Sequence, residues 1–186
     1  KIGITRYASI DTNGHNNAHA FDMNRDLVKD YGFHEKFDII TNFGSTEHIC
    51  NQAQIFKNMH DLCEVNGLMI GIVPFQGALN HGFFNYQPLL FEHIAMANDY
   101  DMNLYWTIAS PQLYTQNVLP YNQELVKIIR ESVKNKYFSY LPYEMEEELC
   151  YVFRKKYDQP YVQPDQTYAG EGGARLEVQK KINPIN

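Results

Sequence analysis

The chain has 186 residues, is 44% hydrophobic and 20% charged, and carries a formal net charge of −6. These values suit one domain with a sizeable core and argue against a disordered chain. The basic residues are scattered rather than striped, which disfavours nucleic acid as a partner, and no apolar run approaches the length of a membrane span.

The first elements are short. Residues 7–10 (YASI) form a strand candidate ending in the turn cluster Asp11-Thr12-Asn13-Gly14, and residues 18–21 form a second, ending at Asp22. Residues 24–31 suit a short helix stopped by Gly32. Residues 37–41 are an apolar strand, after which Asn42-Phe43-Gly44 breaks the pattern. The sequence then predicts a helix over 45–65, because Ile49, Ala53, Phe56, His60 and Cys63 share one face; Ser45 or Thr46 would cap it and Asn66-Gly67 would end it. LMIGIV, residues 68–73, is a continuous apolar strand of the kind buried on both faces, closed by Pro74. A polar and aromatic loop follows over 77–88, and Pro88 sits at the first turn of a helix running to about Asn98. Residues 104–109 read as a strand, 122–135 as a helix and 148–154 as a last strand. The remainder is polar, with Gly170, Gly172 and Gly173 and a short helix expected over 174–181.

Strands alternating with helices predict an α/β sandwich around a mostly parallel sheet. Ligands of such sheets lie beyond the carboxyl ends of the strands, where polar residues interrupt the apolar runs. Asp11 there suits either ribose hydroxyls or a simple turn; Asp22 suits either an adenine amino group or a helix cap. Asn42 and Gly44 suit either ligand approach or a tight strand-to-helix turn. Glu47 gains from the positive end of a helix dipole, and His48 beside it, held neutral, would be a base or an orienting group. Glu47, His48 and His81 could also converge on a metal, although the sequence assigns none. His60 and Cys63 fall on the core face and read as packing residues.

Cys50, Cys63 and Cys150 form no Cys-x-x-Cys pair, so free thiols and a cytoplasmic location are expected. No signal peptide is visible. The chain opens at Lys1 directly into structured-looking sequence, so a preceding segment is expected.

Ser9-Ile10-Asp11, then Phe21-Asp22-Met23-Asn24, then FDIITNFGSTEHI, then NGLMIGIVPF and LCYVFRKK occur in an order and spacing that resemble class I S-adenosylmethionine-dependent methyltransferases over about residues 7–156. The resemblance implies a Rossmann-like three-layer sandwich whose last strand is antiparallel and penultimate in space. Residues 1–156 would be roughly the C-terminal two-thirds of that domain, and 157–186 a partly irregular tail. The family's Gly-x-Gly-x-Gly loop is absent and would precede Lys1. The resemblance also implies S-adenosyl-L-methionine as cofactor, bound by Asp11 at the ribose, Asp22 and Met23 at the adenine, and Asn42, Phe43 and Gly44 at the methionine end.

A small-molecule oxygen or nitrogen acceptor is expected, with His48 and His81 as catalytic bases and Glu47, Asn80, Phe84, Asn85 and Tyr86 lining its site. Two alternatives from other classes are a non-catalytic scaffold domain of the same fold and a nicotinamide-dependent oxidoreductase, which would need Gly-x-Gly-x-x-Gly upstream.

Overall fold

A computed structural model describes residues 3–76, 78, 80–110, 113–120 and 146–165. The expected helices at 122–135 and 174–181, and the three late glycines, lie outside them. Five strands form one sheet: β1 (Phe37–Phe43), β2 (Cys63–Gln76), β3 (Asp101–Ser110), β4 (Leu113–Pro120) and β5 (Glu146–Arg154), in the spatial order β1-β2-β5-β3-β4. Helices α1 (Leu27–Tyr31), α2 (Gln52–Leu62) and α3 (Pro88–Ala97) accompany it.

The α/β architecture is therefore present, with a mixed sheet. Among the described strands only β1 and β2 pair in parallel; β5 enters between β2 and β3, antiparallel to both, and β3 and β4 form a hairpin. Two features reduce the expected parallel share: the last strand contributes two reversed pairings, and β4 was not expected at all. The two short strands expected near the N-terminus shrink to one parallel bridge, Ile10 with His19.

Local chemistry explains the element ends. Asp26 caps α1 by accepting from the Lys29 N–H, and Gly32 ends it at φ 63°, where a side chain would be strained. Pro88 opens α3 at its first turn. The helix expected over 45–65 is shorter: α2 begins only after Asn51, whose side chain accepts from the Gln54 N–H, and it stops at Cys63, which pairs with Phe37. Residues 63–67 turn extended because they join the sheet: the Asn66 N–H donates to the Lys155 carbonyl and the Lys155 N–H to that of Gly67. Pro74 does not close β2 but sits at its irregularity against β5.

One core joins α2 and α3 to one sheet face. Ile55, Phe56 and Met59 of α2 and Phe91, Ile94 and Ala95 of α3 meet Met69 and Val73 of β2 and Leu149, Tyr151 and Phe153 of β5. Phe91 is completely buried and stacks on Tyr151, with centroids 4.6 Å apart. On the other face Ile70, Ile72, Cys150 and Val152 are half-buried, while Ile39 and Phe43 of β1 are exposed, so the expected two-sided burial is incomplete among the described residues. A second cluster, Leu27, Phe33 and Leu62, anchors the N-terminal segment. His60 and Cys63 lie in the core as their spacing predicts; His60 bonds the Tyr100 hydroxyl and the Gln159 carbonyl, so the segment after β5 returns to α2.

Asn42, Gly71 and Tyr151 occupy one row across β1, β2 and β5. A Cβ on Gly71 would lie 2.1 Å from the Tyr151 ring, so only glycine lets that ring cross β2 and place its hydroxyl at Asn42. Because Phe91 holds the ring from the other side, Gly71→Ala should destabilise the fold by about 2–3 kcal/mol. Urea unfolding checks this; an unchanged midpoint would mean that the ring moves freely.

Candidate active site

Beyond the carboxyl end of β1 the chain turns sharply. Gly44 takes φ 70°, and a three-residue 3-10 turn, Thr46–His48, follows. The expectation that Glu47 and His48 open a long helix, with the dipole argument attached to it, is thereby corrected. The turn is held from below by Asn42. Its amide donates to the Thr46 hydroxyl at 2.9 Å and to the Tyr151 hydroxyl at 2.9 Å, and its oxygen accepts from the Thr46 N–H at 3.1 Å. Gln52 braces the far side, donating to the Thr46 carbonyl and accepting from the Tyr86 hydroxyl. Burial pushes the Tyr86 hydroxyl up to about 12, so it stays a donor at neutral pH.

Glu47 is the product of this turn. Its side chain is fully buried, and neither carboxylate oxygen has a hydrogen-bond partner among the described residues. The loop after β2 lies on top of it: the Phe83 N–H donates to the Glu47 carbonyl at 2.8 Å, and a Cβ on Gly82 would lie 2.9 Å from Glu47 Cγ. This close approach brings His81 to Glu47. The Nε2 atoms of His48 and His81 each lie 3.7 Å from Glu47 Oε1, and the two rings are 5.2 Å apart by centroid. Both imidazoles are about half exposed while the carboxylate is not. A buried acceptor with two imidazoles at its mouth can orient an imidazole, stabilise its protonated form, or ligate a cation.

The other sequence-derived residues fall around this cluster unequally. Phe43 and Gly44 are exposed beside the turn, and Asn80 and Asn85 are exposed on the loop. Phe84 packs partly into the core and Tyr86 is buried against Phe56 and Phe91, so Tyr86 supports the loop from inside. Asn42 likewise faces inward, with its amide committed to Thr46 and Tyr151.

Asp11 and Asp22 belong to the N-terminal layer, and no contact joins either to Glu47 among the described residues. Asp11 is exposed; one oxygen accepts from the Asn13 N–H and the other has no partner among the described residues. Asp22 accepts from both amides of Asn24, which hold its carboxyl below the usual range. Asn24 in turn accepts from the Asn51 N–H, so Asp22 is tied to the start of α2. Met23 packs against both core clusters.

Sequence reasoning missed Thr46, Gln52, Gly82 and Tyr151. A glycine inside the histidine-bearing loop was a usable signal for close approach; nothing local marked Tyr151.

No family model matches the sequence, and no curated protein matches it. Among solved structures it is similar to an O-methyltransferase domain, StiE O-MT residues 961–1257, at 14% identity and a TM-score of 0.44, over 80% of this chain and 54% of that one. The chain thus spans about half the length of that structure. No helix among the described residues is long and apolar enough to cross a membrane.

A buried carboxylate without donors opposes folding. Glu47→Gln, measured in a chelating buffer, should raise stability by about 1–3 kcal/mol. Thermal unfolding of the two proteins side by side checks it; a lower midpoint for the variant would show that the carboxylate is paired in the fold.

Proposed function

We propose that this chain forms part of a methyltransferase that uses S-adenosyl-L-methionine and acts on a small-molecule oxygen or nitrogen acceptor. The observation that carries the reading is the Glu47–His48–His81 cluster at the carboxyl ends of two adjacent parallel strands, the place where α/β sheets hold ligands. Three further observations support it. The last strand enters the sheet reversed and next to β3, as the family resemblance expects of Leu149–Lys156, although β4 lies beyond β3 and leaves it in the middle of the five strands rather than penultimate. Asp11 follows a residue, Ile10, bridged in parallel to His19, which is consistent with a carboxylate at a strand end. β1 pairs on one edge only among the described residues, which leaves its other edge open to a further strand.

The residues present fit the cofactor in part. Asp11 offers an uncommitted carboxylate oxygen to ribose hydroxyls, Asp22 lies a short stretch further on beside Met23, and Gly44 with the exposed Phe43 forms an open floor at the strand end. Asn42 takes no direct part; it fixes the floor from beneath. The cofactor, when bound, supplies an activated methyl group, so the protein's work is alignment, exclusion of water and proton removal. His81 or His48 accepts the acceptor's proton at Nδ1, leaving Nε2 to face the Glu47 carboxylate. Glu47, held rigid below, then favours the imidazolium that forms. Exposed Phe83 and Phe43 supply apolar surface for the acceptor beside that pair.

With the full-length protein, calorimetric titration should show saturable binding of S-adenosylhomocysteine and none of NAD, and Asp11→Ala should abolish it with the fold intact. Failure of both ligands to bind would favour the scaffold alternative. His81→Ala should lower turnover by about 10²–10⁴-fold while leaving cofactor affinity unchanged. Unchanged turnover would make the loop structural.

A further inference from the structure

We propose that Glu47, His48 and His81 bind a first-row divalent transition-metal ion, with a Glu47 carboxylate oxygen and the two imidazole Nε2 atoms as ligands. One ligand atom from each residue already lies within 4.8 Å of the others, and each imidazole Nε2 is 3.7 Å from the carboxylate. Metal–ligand bonds of ~2.0–2.2 Å in a tetrahedral arrangement set ligand atoms roughly 3.3 Å apart, so closure needs only small movements. The two half-exposed imidazoles can make them, while Glu47 stays fixed by the Thr46 and Phe83 contacts.

The carboxylate gives the second, independent indication. Both of its oxygens are buried without a donor, although native structures satisfy nearly all such atoms. A cation at the mouth of the turn would compensate this buried carboxylate. The nitrogen-rich ligand set selects among ions: two imidazoles and one carboxylate suit zinc, iron, cobalt or manganese rather than magnesium or calcium. Water can hold the outer nitrogen of each half-exposed ring, the role that a second layer of groups plays at metal sites. Three protein ligands leave a coordination position toward solvent. Its use, to bind an acceptor oxygen and lower its pKa in place of proton removal by an imidazole, rests on the methyltransferase reading; the binding of the ion does not.

The test is titration of Co²⁺ into the full-length, chelator-treated protein, followed by the visible absorption of nitrogen-ligated cobalt. One equivalent should bind saturably. His48→Ala and His81→Ala, which alter exposed side chains and preserve the fold by circular dichroism, should each weaken binding on the order of 100-fold. Glu47→Gln should do the same. Absence of saturable binding, or variants that bind as the parent does, overturns the site and leaves a simple carboxylate–imidazole pairing. S-adenosylhomocysteine affinity on the same samples separates the two claims: cofactor binding without cobalt removes only the metal, and cobalt without cofactor removes only the methyltransferase reading.

Discussion

The missing side chain of Gly71 is the constraint on which the site depends. Because β2 offers no Cβ at that row, the Tyr151 ring of β5 crosses it and its hydroxyl meets Asn42 of β1. Asn42 can then hold both the hydroxyl and the backbone N–H of Thr46, which fixes the turn that drives Glu47 into the interior. The strand does not simply end at Asn42-Phe43-Gly44. It is fastened to a neighbour two strands away, and the chain leaves it in a geometry that places one carboxylate under two imidazoles.

The energetics of that arrangement point the same way. A buried hydrogen-bond network is favourable only when its members are satisfied, and Asn42, Thr46, Gln52 and Tyr86 are. Glu47 is the exception within an otherwise satisfied neighbourhood. Such an exception costs stability unless something outside the fold completes it, and it sits where ligand sites of α/β sheets lie. The loop carrying His81 is tied down after that residue, by the Phe83 N–H to the Glu47 carbonyl and by the Tyr86 N–H to the Pro74 carbonyl.

The sequence made some of this legible. Pro88, Gly32 and the apolar run of β5 marked their elements correctly because those signals are local: a fixed φ, a left-handed stop, an unbroken apolar run. The 45–65 segment misled because its apolar spacing continues through Ile49 and Cys63. At one end Asn51 supplies the real cap, and at the other Phe37 and Lys155 draw the chain into the sheet, a tertiary pull that no local spacing records. The same holds at the site. An acid and a histidine after a strand end were visible as an anomaly, but their meeting with His81 depends on Gly82 packing against Glu47, and the role of Asn42 depends on a tyrosine 109 residues away. Asn42, expected at the methionine end of the cofactor, is committed to Thr46 and Tyr151.

The most direct measurement is a crystal structure of the full-length protein grown with S-adenosylhomocysteine. The account predicts the ligand at the carboxyl ends of β1 and β2, its ribose on Asp11 and its sulfur end beside Gly44, open toward His48 and His81. Ligand density elsewhere on the molecule, or a Glu47 cluster sealed off from the bound sulfur, would contradict it.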